Sequence, residues 1–236
     1  MDTTVQTPPP RGQLAALTQT RLYDLALRLP LAGFYTLVLI AKVPPLVETA
    51  LALPAQDFPT LPVAQVLARV AFLLFITLIV GVTVFRRRPV AKSQGIAGRL
   101  LALAASCLPM ALPLLPHGSP SVAMLFTSAA LVMLGNISAL WTLSWLGRSF
   151  SVMPEARHPV TSGPYAYVRH PLYVCEQIAL VGAVLLFYSP YAVALWFVQI
   201  ALQIGRMHHE ERVLATAFPD YAAYKVRTAR LVPGVY

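Results

Sequence analysis

The chain has 236 residues, of which 57% are hydrophobic and only 11% are charged, and its formal net charge is +9. Because a soluble domain carries about 25% charged residues, this composition excludes a water-soluble globule and predicts an integral membrane protein. The length suits one membrane domain and leaves no room for a separate soluble catalytic domain. The basic residues lie in short clusters beside apolar runs, which is typical of loops that face anionic lipid, so we expect no nucleic-acid partner.

The first part of the chain is expected to be a tail followed by a membrane scaffold. Residues 1–20 are polar, contain prolines at 8–10 and lack the apolar core of a signal peptide, so we expect a disordered cytosolic tail. Residues 21–146 are predicted to form a transmembrane scaffold of about four helices. Pro44 and Pro45 predict a kink or break in the first of them. The four apolar segments run over residues 29–53, 63–85, 96–116 and 121–146.

The basic residues also predict the orientation. Most of those in the first half precede the first segment or lie between the second and third; they are Arg11, Arg21, Arg28, Arg86, Arg87, Arg88, Lys92 and Arg99. By the positive-inside rule, the N-terminus and this loop are cytosolic. The opposite loops carry Glu48, Asp57 and His117, and the fourth segment returns to the cytosol at Arg148.

Residues 147–236 contain two shorter apolar runs, 172–188 and 191–205. Basic residues on both flanks predict a helical hairpin that starts and ends at the cytosolic face, although the sequence leaves open whether the hairpin crosses the bilayer fully. The polar segment 210–236 is expected to be cytosolic. The predicted fold class is therefore all-α: a polytopic membrane protein with four N-terminal transmembrane segments, a C-terminal helical hairpin and a cytosolic C-terminal segment.

Two polar clusters bracket the hairpin. The first, residues 163–173, combines a Gly-Pro turn, aromatic side chains and a helix N-terminus, which together suit a ligand that carries a carboxylate or phosphate. In the second, residues 206–211, Arg206 and Glu210 share one helix face. Each residue alone is more typical of an interfacial anchor, but the two clusters together predict one shared ligand site. Glu176, early in an apolar helix, is either functional or a carboxylate that reaches the interface.

A metal site is not expected. Cys107 and Cys175 have no metal-like spacing, and a zinc site built from His170, His208 and Glu210 has no motif behind it. The sequence also lacks the G-x-S-x-G elbow, the P-loop and the G-x-G-x-x-G fingerprint, which excludes a Rossmann-type cofactor domain at the motif level.

Several motifs in the last third resemble the isoprenylcysteine carboxyl methyltransferase family and, more weakly, the phospholipid methyltransferases. They are LGRSF (146–150), VTSGPY (160–165), RHPLY (169–173), EERVL (210–214), FPDYAAY (218–224), TAR (228–230) and VP (232–233). The resemblance implies a helical membrane enzyme that binds S-adenosylmethionine in a cytosolic pocket closed by the C-terminal segment. A lipophilic acceptor would enter from the bilayer. The sequence departs from the family at Cys175, where glycine is frequent, and the thiol is expected to narrow the pocket.

The resemblance also implies roles for residues of both clusters. Tyrosines would pack on the adenosine, a glutamate would bind the ammonium or a ribose hydroxyl, and an arginine or the helix N-terminus would bind the carboxylate. A carboxylate or thiolate acceptor needs no general base, whereas an amine or phenol would need His170 or Glu176. The candidate catalytic residues are His170, Glu176 and Arg206, and the candidate cofactor-binding residues are Tyr165, Tyr167, Arg169, His170, Pro171, Tyr173, Glu210 and Glu211.

Two other classes of function stay open. One is a membrane reductase of the sterol reductase type, and the other is a non-enzymatic membrane binding protein. The acceptor is open as well: an isoprenylcysteine-like carboxylate, a lipid or a thiol would suit the same architecture.

Overall fold

The computed structural model describes residues 21–53, 60–85, 91–92, 97–152 and 155–234. The predicted tail 1–20 and most of the arginine-rich loop lie outside the described residues.

The described chain is almost entirely helical. Its helices are α1 (Arg21–Leu51), α2 (Thr60–Phe85), α3 (Ala97–Cys107), α4 (Val122–Leu146), α5 (Pro171–Phe187), α6 (Pro190–Ala217) and α7 (Tyr221–Arg227). Short 3-10 helices cover Leu108–Leu114, Gly147–Ser149 and Gly163–Ala166. The strands β1 (Ala91–Lys92) and β2 (Glu155–Ala156) form an antiparallel pair of two residues each. Because this pair is so short, the predicted all-α class is confirmed.

Four helical stretches are long and apolar enough to cross a membrane: Leu29–Leu51, Pro62–Phe85, Ala97–Leu114 and Val122–Ser149. They coincide with the four predicted segments, so the protein is an integral membrane protein. Of the kink or break predicted at Pro44 and Pro45, the break is wrong, because α1 runs through both prolines. Side chains support the helix here, since Thr49 and, from α2, Arg69 both donate hydrogen bonds to the Pro45 carbonyl.

The α5–α6 hairpin is as deep as the α3–α4 pair. The Gly118 N–H, in the turn between α3 and α4, lies 3.3 Å from the carbonyl oxygens of both Phe187 and Tyr188, where α5 ends. The ring of His117 packs edge-on against Phe187, with 6.1 Å between the centroids. Because the two turns touch, the hairpin reaches the same boundary as the turn between the third and fourth spans.

Helix α6 continues beyond the second predicted apolar run. The second apolar run was expected to end near Gly205, but α6 continues to Ala217 and stops before Pro219. The polar residues after Gly205 are mostly good helix formers, so the apolar run ends there but the helix does not. Arg206, Glu210 and Glu211 therefore lie within the helix.

Helices α4 and α5 pack backbone against backbone. A Cβ atom added at Gly135 of α4 would lie 2.5 Å from the Ala179 nitrogen, and one at Gly182 of α5 would lie 2.8 Å from the Ser128 carbonyl oxygen. Small residues that let helices approach closely are a common basis of helix association in membranes. This interface fixes the start of α5, and with it the first polar cluster, on the scaffold.

Gly135→Val is expected to destabilise the protein by about 1–3 kcal/mol, because the added side chain must push α4 and α5 apart. The thermal transition of the detergent-purified protein measures the effect. Gly33→Val is the matched control, since a Cβ at Gly33 meets nothing within 4 Å and the helix-propensity cost is the same. Equal transitions for the two variants would contradict close α4–α5 packing.

Candidate active site

The structure brings the two polar clusters together at one end of the hairpin. The first begins with a tight turn at Gly163, whose φ of +61° favours glycine and whose added Cβ would lie 2.5 Å from the Trp145 ring. The turn places Tyr165 in the interior, where its carbonyl accepts a 2.7 Å hydrogen bond from the Tyr224 hydroxyl. The first cluster is thus held between the end of α4 and helix α7.

Glu210 is held by residues from both clusters. Its Oε1 atom accepts hydrogen bonds from Arg206 Nε at 2.9 Å and from the Tyr173 hydroxyl at 2.6 Å. The Arg206 guanidinium lies 5.0 Å from the centroid of the Tyr173 ring and donates to Ser106 Oγ of α3 at 3.1 Å. His170 stacks on Tyr173, with 5.3 Å between ring centroids and 5° between planes. The Glu210 side chain keeps 20% of its surface exposed, so it is fixed yet reachable.

Glu211 is the centre of a buried ion cluster, which we define as Glu211, Arg169, Arg230, Lys225 and His170. Arg169 Nε donates to Oε1 at 2.8 Å, and Arg230 donates to both carboxylate oxygens at 3.0 Å. His170 Nε2 lies 3.3 Å from Oε1, and Lys225 Nζ lies 3.5 Å from Oε2. Burial by itself raises the pKa of Glu211, but the hydrogen bonds from His170, Arg230 and Arg169 outweigh it and hold that pKa well below its usual range.

The C-terminal segment is tied to the first cluster through the backbone. The Arg169 N–H donates to the Ala229 carbonyl at 2.9 Å, and the His170 N–H donates to the Arg230 carbonyl at 3.1 Å. Pro171 has no N–H at all. At the start of α5, two N–H groups are therefore used by the C-terminal segment and a third position has none. This weakens the expectation that the helix N-terminus binds a carboxylate.

A half-open cavity lies between the clusters, with about 820 Å³ of empty space including its mouth. The predicted residues that line it are Tyr165, Arg169, His170, Tyr173, Arg206 and Glu210. The remaining lining residues are Leu146, Ser149, Phe150, Ser151, Arg157, His158, Pro159, Val160, Leu172, Leu214, Tyr221 and Tyr224.

Four predicted site residues are not among those that line the cavity. Tyr167 points to the surface and is 75% exposed. Pro171 is buried at the start of α5, and Glu211 is enclosed in the ion cluster at 2% exposure. Glu176 lies deeper in the hairpin, where its Oε2 atom accepts a 2.9 Å hydrogen bond from Gln203 Nε2.

Sequence reasoning missed several lining residues. Tyr221 and Tyr224 are three positions apart and so share a face of α7, a spacing visible in the FPDYAAY motif. Burial raises the pKa of Tyr224 to about 12, so its hydroxyl stays a neutral donor. Arg157 and His158 come from an irregular segment after α4, and no periodicity in the sequence could place them. The Tyr165 hydroxyl is buried and makes no hydrogen bond with any group in the described part of the chain.

Cys175 does not narrow the cavity. Its side chain is buried in the apolar core and its Sγ atom lies 3.6 Å from the Thr142 hydroxyl of α4. The thiol thus faces the α4–α5 interface, and the expectation of a narrowed pocket is wrong because this position points to the neighbouring helix.

His208 of the second cluster contacts groups of the protein itself. His208 Nδ1 lies 2.8 Å from the Ile204 carbonyl oxygen, and its Nε2 lies 3.2 Å from Arg230 Nη1. Among the residues that the structure describes, no group of three or more His, Cys, Asp or Glu side chains is placed to hold a metal ion.

Fold and site together define a helical membrane protein with a polar, aromatic-lined pocket at the end of a helical hairpin. Residues 128–216 match the model of the isoprenylcysteine carboxyl methyltransferase (ICMT) family. The resemblance to this family that the motifs indicated is therefore confirmed for residues 128–216.

Two proteins are similar to the chain over a little less than half of its length. The cobalt-zinc-cadmium resistance protein CzcN of Cupriavidus metallidurans is 35% identical over 104 residues, which are 43% of this chain and 45% of that protein. The nickel-cobalt-cadmium resistance protein NccN of Alcaligenes xylosoxydans xylosoxydans is 31% identical over 111 residues, which are 45% of this chain and 51% of that protein. The match spans about half the length of each relative.

Proposed function

We propose that the protein transfers a methyl group from S-adenosylmethionine to a lipophilic acceptor that enters from the bilayer. The ICMT family is one of membrane methyltransferases, which supports the reaction class. The observation that carries the proposal is the single cavity lined by both motif clusters, at the end of a hairpin that is otherwise apolar. We further propose that this end of the hairpin, the N-terminus and the C-terminus are cytosolic, as the basic loops predict.

The residues of the cavity fit the polar and aromatic groups of S-adenosylmethionine. Tyr165 offers a buried hydroxyl that has no hydrogen-bond partner in the described part of the chain. The Oε1 atom of Glu210 is used by Arg206 and Tyr173, whereas its Oε2 atom is 3.9 Å from the nearest histidine nitrogen and suits an ammonium or a ribose hydroxyl. Arg157, 2% exposed, brings a positive charge to the cavity wall that suits a carboxylate.

The apolar and aromatic walls of the cavity suit the adenine ring and the exclusion of water. When bound, the cofactor supplies a methyl group already activated on a sulfonium, so positioning and desolvation can provide most of the acceleration. Phe150, Tyr221 and Tyr224 offer faces for the adenine ring. Leu146, Leu172 and Leu214 exclude water from the same space.

The geometry favours an acceptor that is already anionic. His170 lies between Glu210 and Glu211, with its Nε2 atom 3.3 Å from Glu211 Oε1, and its ring stacks on Tyr173. The imidazole is therefore occupied by contacts within the protein and is poorly placed to remove a proton from an acceptor. Glu176 is not among the lining residues. We therefore propose an acceptor that already carries a negative charge: an isoprenylcysteine-like carboxylate, an acidic lipid or a thiolate. None of these needs a general base.

S-adenosylhomocysteine is expected to raise the thermal transition of the detergent-purified protein, whereas NADPH is not, because the proposed site recognises the amino acid and nucleoside groups. His170→Ala and Glu210→Ala should abolish the shift, since each removes a support of the cavity wall. Tyr167→Ala is the control and should keep it, because this side chain is exposed.

A shift with NADPH alone would favour the reductase reading. If S-adenosylhomocysteine at millimolar concentration does not shift the thermal transition, the proposal is wrong. Mass spectrometry of membrane extracts incubated with methyl-labelled cofactor would then identify the acceptor, and the absence of any labelled lipophilic product would favour a binding protein.

A further inference from the structure

A second concave surface lies on the outside of the scaffold, between α2 and α4. We call it the α2–α4 groove; it has about 830 Å³ of empty space, most of it open to the surroundings, and is lined by Leu74, Thr77, Leu78, Gly81, Val82, Phe85, Leu140, Gly147 and Arg148. From Leu74 to Phe85 the groove follows α2 for about 17 Å, at roughly 1.5 Å per residue. None of these residues lines the active-site cavity.

The groove is apolar along its length and cationic at one end. Apart from Thr77 and Arg148, its lining side chains are aliphatic or aromatic or the residue is glycine. The Thr77 hydroxyl donates to the Leu73 carbonyl of its own helix, so it adds little polarity. Arg148 is exposed, and its Nε atom donates to the Phe85 carbonyl at 2.8 Å, which fixes the guanidinium at the end of α2. In the sequence, Phe85 is followed directly by Arg86, Arg87 and Arg88.

This distribution of charge matches one kind of occupant. Both helices are candidate membrane spans, so the groove faces the acyl chains of the bilayer, while Arg148 lies where the fourth span ends. Basic pockets between transmembrane helices, at the membrane surface, bind anionic lipid headgroups. We propose that the α2–α4 groove is a binding site for an acidic phospholipid, with an acyl chain along α2 and the headgroup phosphate at Arg148.

Gly81 is the position that makes the site testable. A Cβ added there meets nothing within 4 Å, so a larger side chain enters the groove without displacing any described atom. Leucine also has the higher helix propensity, so Gly81→Leu should fill the groove and keep the fold. Gly33→Leu is the matched control, because Gly33 is a helical glycine of another span with equally open surroundings.

The experiment is native mass spectrometry of the detergent-purified full chain, titrated with phosphatidylglycerol or with phosphatidylcholine of the same acyl chains. The wild type and Gly33→Leu should retain phosphatidylglycerol preferentially, and Gly81→Leu should lose that adduct. Arg148→Gln should weaken phosphatidylglycerol binding about fivefold and leave phosphatidylcholine binding unchanged, as expected for one basic side chain near the membrane surface. Arg148→Lys should restore the preference, and Arg212→Gln, at an exposed arginine of α6, should not alter it.

Three outcomes would overturn the assignment. The first is undiminished phosphatidylglycerol binding by Gly81→Leu. The second is an equal loss in Arg148→Gln and Arg212→Gln, which would indicate a general charge effect. The third is a bound lipid that gains the mass of a methyl transfer when S-adenosylmethionine is added, because the occupant would then be the methyl acceptor. Binding of S-adenosylhomocysteine is measured separately, so failure here is distinct from failure of the proposed function.

Discussion

Glu211→Ala is expected to lower the free energy of unfolding by about 3–5 kcal/mol and to release the C-terminal segment, because removing one partner of a buried ion cluster leaves the other charges uncompensated. Arg169 and Arg230 both donate to this carboxylate, and their side chains are 9% and 15% exposed. Without it, the two guanidiniums repel each other across the junction between α5 and the C-terminal segment. Urea denaturation in detergent measures the stability, and limited proteolysis measures the release of the segment.

Lys225→Ala is the matched control, because Lys225 contacts the same carboxylate at 3.5 Å but is 40% exposed. Exposed ion pairs contribute about 0–1 kcal/mol, so the change should be small. A large effect of Lys225→Ala, or protection of the C-terminal segment in Glu211→Ala, would falsify the central role of Glu211.

Low pH is also expected to lower the stability of the folded protein through Glu211. Because the pKa of Glu211 is lowered in the folded protein, the unfolded chain takes up a proton at this residue before the folded chain does. The stabilisation is therefore complete above the ordinary pKa of 4.5 and is lost progressively as the pH falls below it. In Glu211→Gln the dependence of stability on pH below 4.5 should be shallower, which denaturation at a series of pH values measures.

Much of the fold could be predicted because hydropathy reports directly on the bilayer. The four spans coincide with the predicted segments to within a few residues. Hydropathy could not predict that α6 extends to Ala217, because polar residues that continue an apolar helix have the same hydropathy as a polar tail. The α4–α5 interface could not be predicted either. Whether Gly135 lies in that interface depends on which face of α4 packs against α5.

The site could be predicted as a pair of clusters but not as a set of contacts. Dense polar residues precede and follow the apolar hairpin in the sequence, which indicated that the two clusters meet in space. The sequence did not predict that Glu210 and Glu211 have different contacts. Successive residues of a helix face different neighbours, and the sequence does not say which neighbours these are. Glu210 faces the cavity and Glu211 faces the C-terminal segment. The partners Lys225 and Arg230 come from a segment whose position depends on tertiary structure alone.

Arg206→Lys is expected to weaken the binding of S-adenosylhomocysteine about tenfold or more, since a hydrogen bond that involves a charged group contributes about 1.5–3 kcal/mol. Arg206 contacts three groups at once: Glu210 Oε1 at 2.9 Å, Ser106 Oγ at 3.1 Å and the face of Tyr173 at 5.0 Å. A lysine ammonium lacks the planar fork that reaches all three, so Glu210 would lose its fixed orientation even though the charge remains. Isothermal titration calorimetry in detergent measures the affinity.

Ser106→Ala separates orientation from charge. It leaves Arg206 and Glu210 paired but removes the hydrogen bond to α3, so we expect a loss of binding smaller than that of Arg206→Lys. Ser106→Thr retains the hydroxyl and should restore the affinity. If Arg206→Lys binds as tightly as the wild type, a positive charge at this position is sufficient and the fork is not required. An effect of Ser106→Ala with rescue by threonine would instead show that α3, outside the matched family region, positions the residue that orients Glu210.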